Sequence, residues 1–241
     1  MRRRAPALVA AALLLGGCAT NFTRLSAEDR TALTQRLVHR ESDKYLRLSF
    51  YATPLFGDGT KRLLSAVAPD EVRLLEQPDG TPVHPGQILG LFPAGTRAHI
   101  TKVEFPTAWA VAERVLYTPR TRTWVYLQIE GEPTTLPYVL VLGAHMRDEK
   151  EFLAELDRYL VNENPEHRLA TWPEWIRSAV KKKRARLDMP EEALEMAWGY
   201  PEIKRKNAPA GIEEWVWPSN KRKAKLKDGR VADLLDPEEE F

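Results

Sequence analysis

Apolar positions along the chain fall into more than one rhythm. From Ser26 onward they recur at helical spacing. Leu33, Leu37 and Val38 share one face among charges, and Ser26 with Asp29 three positions on predicts a capped start. The pattern predicts a helix fading near Ser49, with breaks at Pro54 and at Gly57-Asp58-Gly59. From about 60 to 143 the rhythm shortens. Segments 72–75, 88–92, 97–105, 123–129 and 138–142 are rich in Val, Ile, Leu and aromatics, with Pro and Gly turns between them. Five short strands in that span predict a small antiparallel β-barrel. Helical spacing returns at 148–160, where Phe152, Leu153, Leu156, Tyr159 and Leu160 form one stripe. Thr171-Trp172-Pro173-Glu174 reads as a capping box for a helix carrying Trp175, Ile176, Ala179 and Val180 inward, with cations 181–184 near its end. Another helix starts at 188–191 and stops at Gly199-Tyr200-Pro201.

The first residues follow a different pattern. Arg2, Arg3 and Arg4 precede an apolar run over 7–15, too short to span a bilayer as a mature helix. The run ends in Leu15-Gly16-Gly17-Cys18. A large aliphatic residue, two small ones and a cysteine make up a bacterial lipoprotein signal. The expectation is cleavage after residue 17 and acylation, including palmitate, on Cys18. That chemistry gives firm anchoring, since two or more chains are needed for stable membrane attachment. Ala19 is not Asp, which favours the outer membrane by enterobacterial sorting rules.

Composition changes in meaning once the signal is set apart. The 241 residues are 43% hydrophobic and 29% charged, enough to bury a core. Loss of the signal removes three arginines and no acid, taking the formal charge from +2 to −1. Attraction to nucleic acid is therefore not expected. Cys18 is the single cysteine, so a mature chain has neither disulfide nor thiol chemistry.

Two family resemblances follow. The stretch from Leu91 through Pro93-Ala94-Gly95 to Ile100 resembles the entry to the second half of SH3-like barrels. The last 70 or so residues run in a recognisable order: a helix with a basic end, 189–194, Ala197-Trp198-Gly199-Tyr200-Pro201, Glu214-Trp215-Val216-Trp217, a basic strand 221–227, and the turn Asp228-Gly229. This order resembles the SmpA/OmlA family, also called BamE-like. Gly199 and Pro201 match its turn, Trp215 and Trp217 its aromatic strand, and Asp228-Gly229 its hairpin. Leu187-Asp188-Met189 departs from the family, which has Gly before the Met, and about 120 residues are added upstream. The resemblance implies two helices with a three-stranded antiparallel sheet and a role beside outer-membrane barrel assembly. The related fold also occurs in protein inhibitors of β-lactamase.

Chemistry is sparse. His39, His84, His99, His145 and His167 are dispersed, with no HExxH spacing. No nucleophile elbow, no Ser-x-x-Lys with its companion motifs, and no GxGxxG or Walker A loop occurs. No catalytic residue, metal or cofactor is assigned. Lys221, Lys223, Lys225 and Lys227 alternate with Arg222, Ala224 and Leu226, so a strand would put the lysines on one face. That face is either a solvated sheet surface or a dock for anionic lipid, lipopolysaccharide phosphate or an acidic partner. Trp109, in a loop between strands with Tyr117 nearby, is either a packing residue or part of a binding surface.

The expected architecture is α+β. It consists of a signal peptide 1–17, a lipidated tether and helix 18–59, an SH3-like barrel 60–146, a linking helix and loop 147–170, a BamE-like module 171–235 and an acidic tail 236–241. The expected protein is a non-enzymatic outer-membrane lipoprotein facing the periplasm. It would bind another envelope protein as a scaffold in outer-membrane protein assembly or envelope integrity. The alternatives are peptidoglycan binding through the barrel and an enzyme with an unrecognised site.

Overall fold

A computed structural model describes residues 22–144, 146–207 and 211–236. Cys18, His145 and most of the acidic tail lie outside them. The fold is mixed α+β, with two sheets and six α-helices among the described residues.

Helix α1 spans Ala27–Thr34. Ser26 caps it as expected, accepting from the Asp29 N–H while Asp29 reaches back to the Ser26 N–H. A wider π-helical turn, Gln35–Arg40, ends the helical run. The helix does not continue to Ser49. Lys44, Leu46, Leu48 and Phe50 are buried at every second position, a period-two pattern that a helix would scatter around its axis. The chain instead forms β1 (Asp43–Leu46), β2 (Phe50–Leu55) and β3 (Asp58–Ser65). The expected strand at 72–75 is replaced by a 3-10 turn at Pro69–Glu71 and irregular chain, with Val72 buried as a plug.

Strands β4 (Gly90–Phe92), β5 (Arg97–Glu104), β6 (Trp124–Ile129) and β7 (Tyr138–Val141) occupy the predicted segments, with helix α2 (Ala108–Glu113) between β5 and β6. Helix α3 (Glu149–Asp157) follows, capped by Asp148, and then the short strand β8 (Leu160–Val161). The strands do not close into a barrel. They form one eight-stranded sheet in the order β4-β2-β3-β7-β6-β5-β1-β8, in which β3 and β7 are parallel. The sheet also takes strands from outside 60–146. Both of its faces are covered. Val125, Leu127, Tyr138 and Leu140 join the main core with α1 and α3, while Trp124, Tyr126, Val139 and Val141 form a smaller cluster on the opposite face. Burial on both faces explains why β6 and β7 read as continuous apolar runs.

The remaining helices are α4 (Glu166–Leu169), α5 (Glu174–Lys181) and α6 (Glu191–Trp198). The capping box expected at Thr171 does not form. Pro173 occupies the cap position of α5 without a side-chain bond, and the Thr171 hydroxyl donates backward to Arg168 O. The C-terminal sheet has four strands rather than three. It is the antiparallel meander β9 (Ile203–Asn207), β10 (Ile212–Val216), β11 (Lys223–Lys227) and β12 (Arg230–Leu235). Its inner face presents Trp215, Ala224, Leu226 and Val231 to α5 and α6, and Trp198 meets Trp217 edge-on at 5.0 Å between ring centroids. One apolar cluster runs from Leu33 in α1 to Val231 in β12, so both layers share a core.

Buried polar groups stitch the layers together. Glu71 accepts from the Ser219 hydroxyl at 3.0 Å and faces Arg222 at 3.6 Å, and Arg222 also faces Asp236. Burial raises the Glu71 carboxyl above its ordinary range, and the Arg222 charge opposes that rise. Lys183, expected as one of several cations at a helix end, points inward. Its ammonium donates to Ser49 O, Ala66 O and Ala197 O at 2.7–2.8 Å.

Candidate interaction surface

Glu104 ends β5 and Trp124 begins β6, and the two are partners in register. The chain between them, 105–123, is therefore an excursion that leaves the sheet and returns to the same place. Phe105 roots it against Phe152 of α3. Thr107 caps α2 by accepting from the Ala110 N–H. Trp109 thus lies on a short helix and not in a plain loop.

Arg114 holds the far side of the excursion. Its guanidinium donates to Glu104 Oε1 at 2.7 Å, to the carbonyls of Glu104 and Arg122, and to that of Arg120. It also lies 4.0 Å over the Trp124 ring. Thr118, buried, donates to Val115 O, and Trp124 Nε1 donates to Pro119 O. The Gly57 N–H, in the turn between β2 and β3, donates to Tyr117 O at 3.1 Å. Between the buried anchors Arg114 and Thr118, the side chains of Val115, Leu116 and Tyr117 stand outward. Leu116 is 64% exposed, Tyr117 70%, and Trp109 on the adjoining helix 73%. The backbone of this tip is fixed on both sides, so the apolar exposure is a presented feature.

The electrostatics support the clamp. Burial opposes ionisation of Glu104, but hydrogen bonds from Lys102 and Arg114 and their charges outweigh it, holding the carboxyl below its ordinary range. Burial pulls the Arg114 guanidinium down, and Glu104 pulls it back up. Tyr126, whose hydroxyl faces Glu104, is pushed far up by burial. Because the folded state lowers the Glu104 pKa, its contribution is complete above the unfolded value and is lost as pH falls through the folded one. Glu104→Gln is expected to cost about 1–3 kcal/mol. It should also speed amide hydrogen exchange across 105–123 at neutral pH and remove the acid-induced loosening expected of the parent there.

The lysine face is a charge ladder. Across the outer surface of the second sheet, Arg205 pairs with Glu214 on β10, and Lys225 on β11 pairs with Asp233 on β12 at 2.7 Å. Lys221 donates to Asp70 at 2.8 Å, a link between layers. Lys223 and Lys227 share the outward face, while Arg222, Ala224 and Leu226 are buried as the alternation predicts. The cations of this face that carry ion pairs have their charge met within the protein, which gives anionic partners little net field.

A cleft of about 520 Å³ lies where β8 meets α6, lined among others by Arg47, Asp157, His167, Arg168, Glu192 and Tyr200. Arg168 and Glu192 pair with each other across it, and its lining includes no Ser, Thr or Cys. Among the described residues no cluster of three His, Cys, Asp or Glu is placed to hold a metal ion, and no helix is long and apolar enough to cross a membrane.

The structure does not bring the sequence-predicted residues together as one site. Trp109 and Tyr117 belong to the excursion, and the four lysines belong to the second sheet and the turn before it. Sequence reasoning missed Leu116 and the Arg114 clamp. An Arg followed by Val-Leu-Tyr-Thr-Pro in an acid-poor segment was the available signal. No protein-family model, curated protein or solved structure matches this chain.

Proposed function

We propose that this protein is a non-enzymatic lipoprotein of the bacterial outer membrane, anchored through acylated Cys18 and facing the periplasm. It acts as a binding or scaffold module, accessory to outer-membrane protein assembly or envelope integrity. The observation that carries this reading is the clamped excursion, which presents Trp109, Leu116 and Tyr117 to solvent as a surface for another envelope component, protein or lipid. The C-terminal module supports the envelope assignment. Its support is the residue order that resembles the BamE-like family, carried on α5, α6 and a four-stranded antiparallel meander that share one core.

The test of the anchor is metabolic labelling with palmitate followed by envelope fractionation. The full-length chain should incorporate label and sediment with outer membrane, and Cys18→Ala should do neither. Unlabelled parent protein recovered in the periplasmic fraction would remove the reading.

A further inference from the structure

The excursion also indicates what it meets. Phe22 is the first described residue, and its N–H donates to Pro106 O at 3.0 Å. Pro106 directly precedes Thr107, the cap of α2. The chain leading to Cys18 therefore leaves the domain at the base of the helix that carries Trp109. Three residues lie between Cys18 and Phe22, which is four Cα-to-Cα steps. A chain of that length reaches about 14 Å at most. An acylated Cys18 consequently holds a bilayer surface within that distance of Phe22, which is itself 51% exposed.

Helix α2 suits that position. Its sequence is AWAVAE, yet none of its residues is buried. Arg120 holds the helix to the domain by donating to Val111 O, and Trp109 stands away from it into solvent. The exposed side chains of this region are Phe22, Trp109, Val115, Leu116 and Tyr117. Trp and Tyr favour the boundary between headgroups and acyl chains, where an apolar ring and a polar atom are both accommodated. With Arg114 paired to Glu104, the excursion keeps Arg120 and Arg122 against the single acid Glu113. That balance suits an anionic leaflet.

We propose that the excursion is a second membrane contact: Trp109, Leu116 and Tyr117, with Phe22, enter the interfacial region of the leaflet that holds the Cys18 lipid. The inference rests on the lipoprotein reading and deepens it. The domain then lies against the bilayer with α2 at the surface, instead of swinging on a free tether. Lys227, exposed on the second sheet, lies outside this contact.

The test uses acylated full-length protein reconstituted into phosphatidylethanolamine–phosphatidylglycerol vesicles. Acylated Cys18 is not a free thiol, so Leu116→Cys and Lys227→Cys each offer one site for an environment-sensitive fluorophore. The probe at 116 should shift to the blue and be quenched by brominated phospholipid, and the probe at 227 should behave as in water. If the protein floats with vesicles but the probe at 116 is neither shifted nor quenched, the membrane contact is overturned and the anchor stands. If the protein carries no acyl chain and does not float, both readings fall. A blue shift at 116 that needs raised protein concentration and no lipid assigns the patch to a second copy and overturns the proposal. In the unacylated Cys18→Ala chain, adding Trp109→Ser and Leu116→Ser should lower partition into the same vesicles about hundredfold. Both side chains are exposed, so the circular dichroism melt should not move.

Discussion

Lys183→Met is expected to destabilise the protein by about 3–5 kcal/mol, one of the two largest single-residue effects predicted for this fold. The Lys183 ammonium sits where β2, the end of β3, the end of α5 and the end of α6 converge. It donates to Ser49 O, Ala66 O and Ala197 O, and lies 4.6 Å over the Tyr51 ring. Ala197 is in the last turn of α6, and the residue four positions on is Pro201, which has no N–H to offer. The helix end therefore depends on an outside donor, and a cation is the favoured one there. Methionine keeps the stem volume and removes the charge and all three donated bonds. The buried carbonyls then lose a partner that water cannot replace. In urea the midpoint should fall with the slope unchanged, and the melting temperature should drop by about 10 °C. A shift of only a degree or two would show that the ammonium is not a structural keystone.

Gly199→Ala should be comparably damaging. Gly199 ends α6 with φ +81 and ψ −176, a region that side chains avoid. A Cβ there would stand 2.6 Å from Ala66 O, a backbone atom already held by Lys183. Trp217 Nε1 also donates to Gly199 O. The backbone strain and the clash together should cost about 3 kcal/mol or more. Urea titration of purified Gly199→Ala checks it, and Gly229→Ala is the comparison. Gly229 also has positive φ, +71, but open space where its Cβ would go. It should lose only about 1–2 kcal/mol. Equal losses would mean that the close approach at Ala66 is not tight.

Much of the fold was legible in the sequence where helical spacing or a continuous apolar run marks an element. Helices α1, α3 and α6 begin at their predicted starts, α1 and α3 behind the side-chain caps Ser26 and Asp148, and β4 to β7 and β11 fall within their predicted segments. The hairpin β2–β3 was not legible. Pro54 and Gly57 read as breakers, yet Pro54 is accommodated at an irregular register and Gly57 forms the turn. The open eight-stranded sheet was not legible either, because β1 and β8 pair across more than a hundred residues and local pattern carries no such information. The inward course of Lys183 was hidden for a related reason. Its basic neighbours suggested cations closing a helix end, and only the tertiary junction supplies the carbonyls it meets. At the candidate surface, aromatic type and position pointed to Trp109 and Tyr117. Their exposure depends on the Arg114 clamp, a set of contacts to backbone carbonyls that residue types do not encode.

The measurement that bears most directly on the central claim is photocrosslinking in the native envelope from a reactive amino acid placed at position 116. The account predicts adducts with membrane lipid or an envelope protein from that position, lost in Cys18→Ala and not seen from position 227. Absence of adducts at 116, or an unchanged set without acylation, would contradict an anchored binding module. Adducts confined to peptidoglycan would replace it with a cell-wall reader.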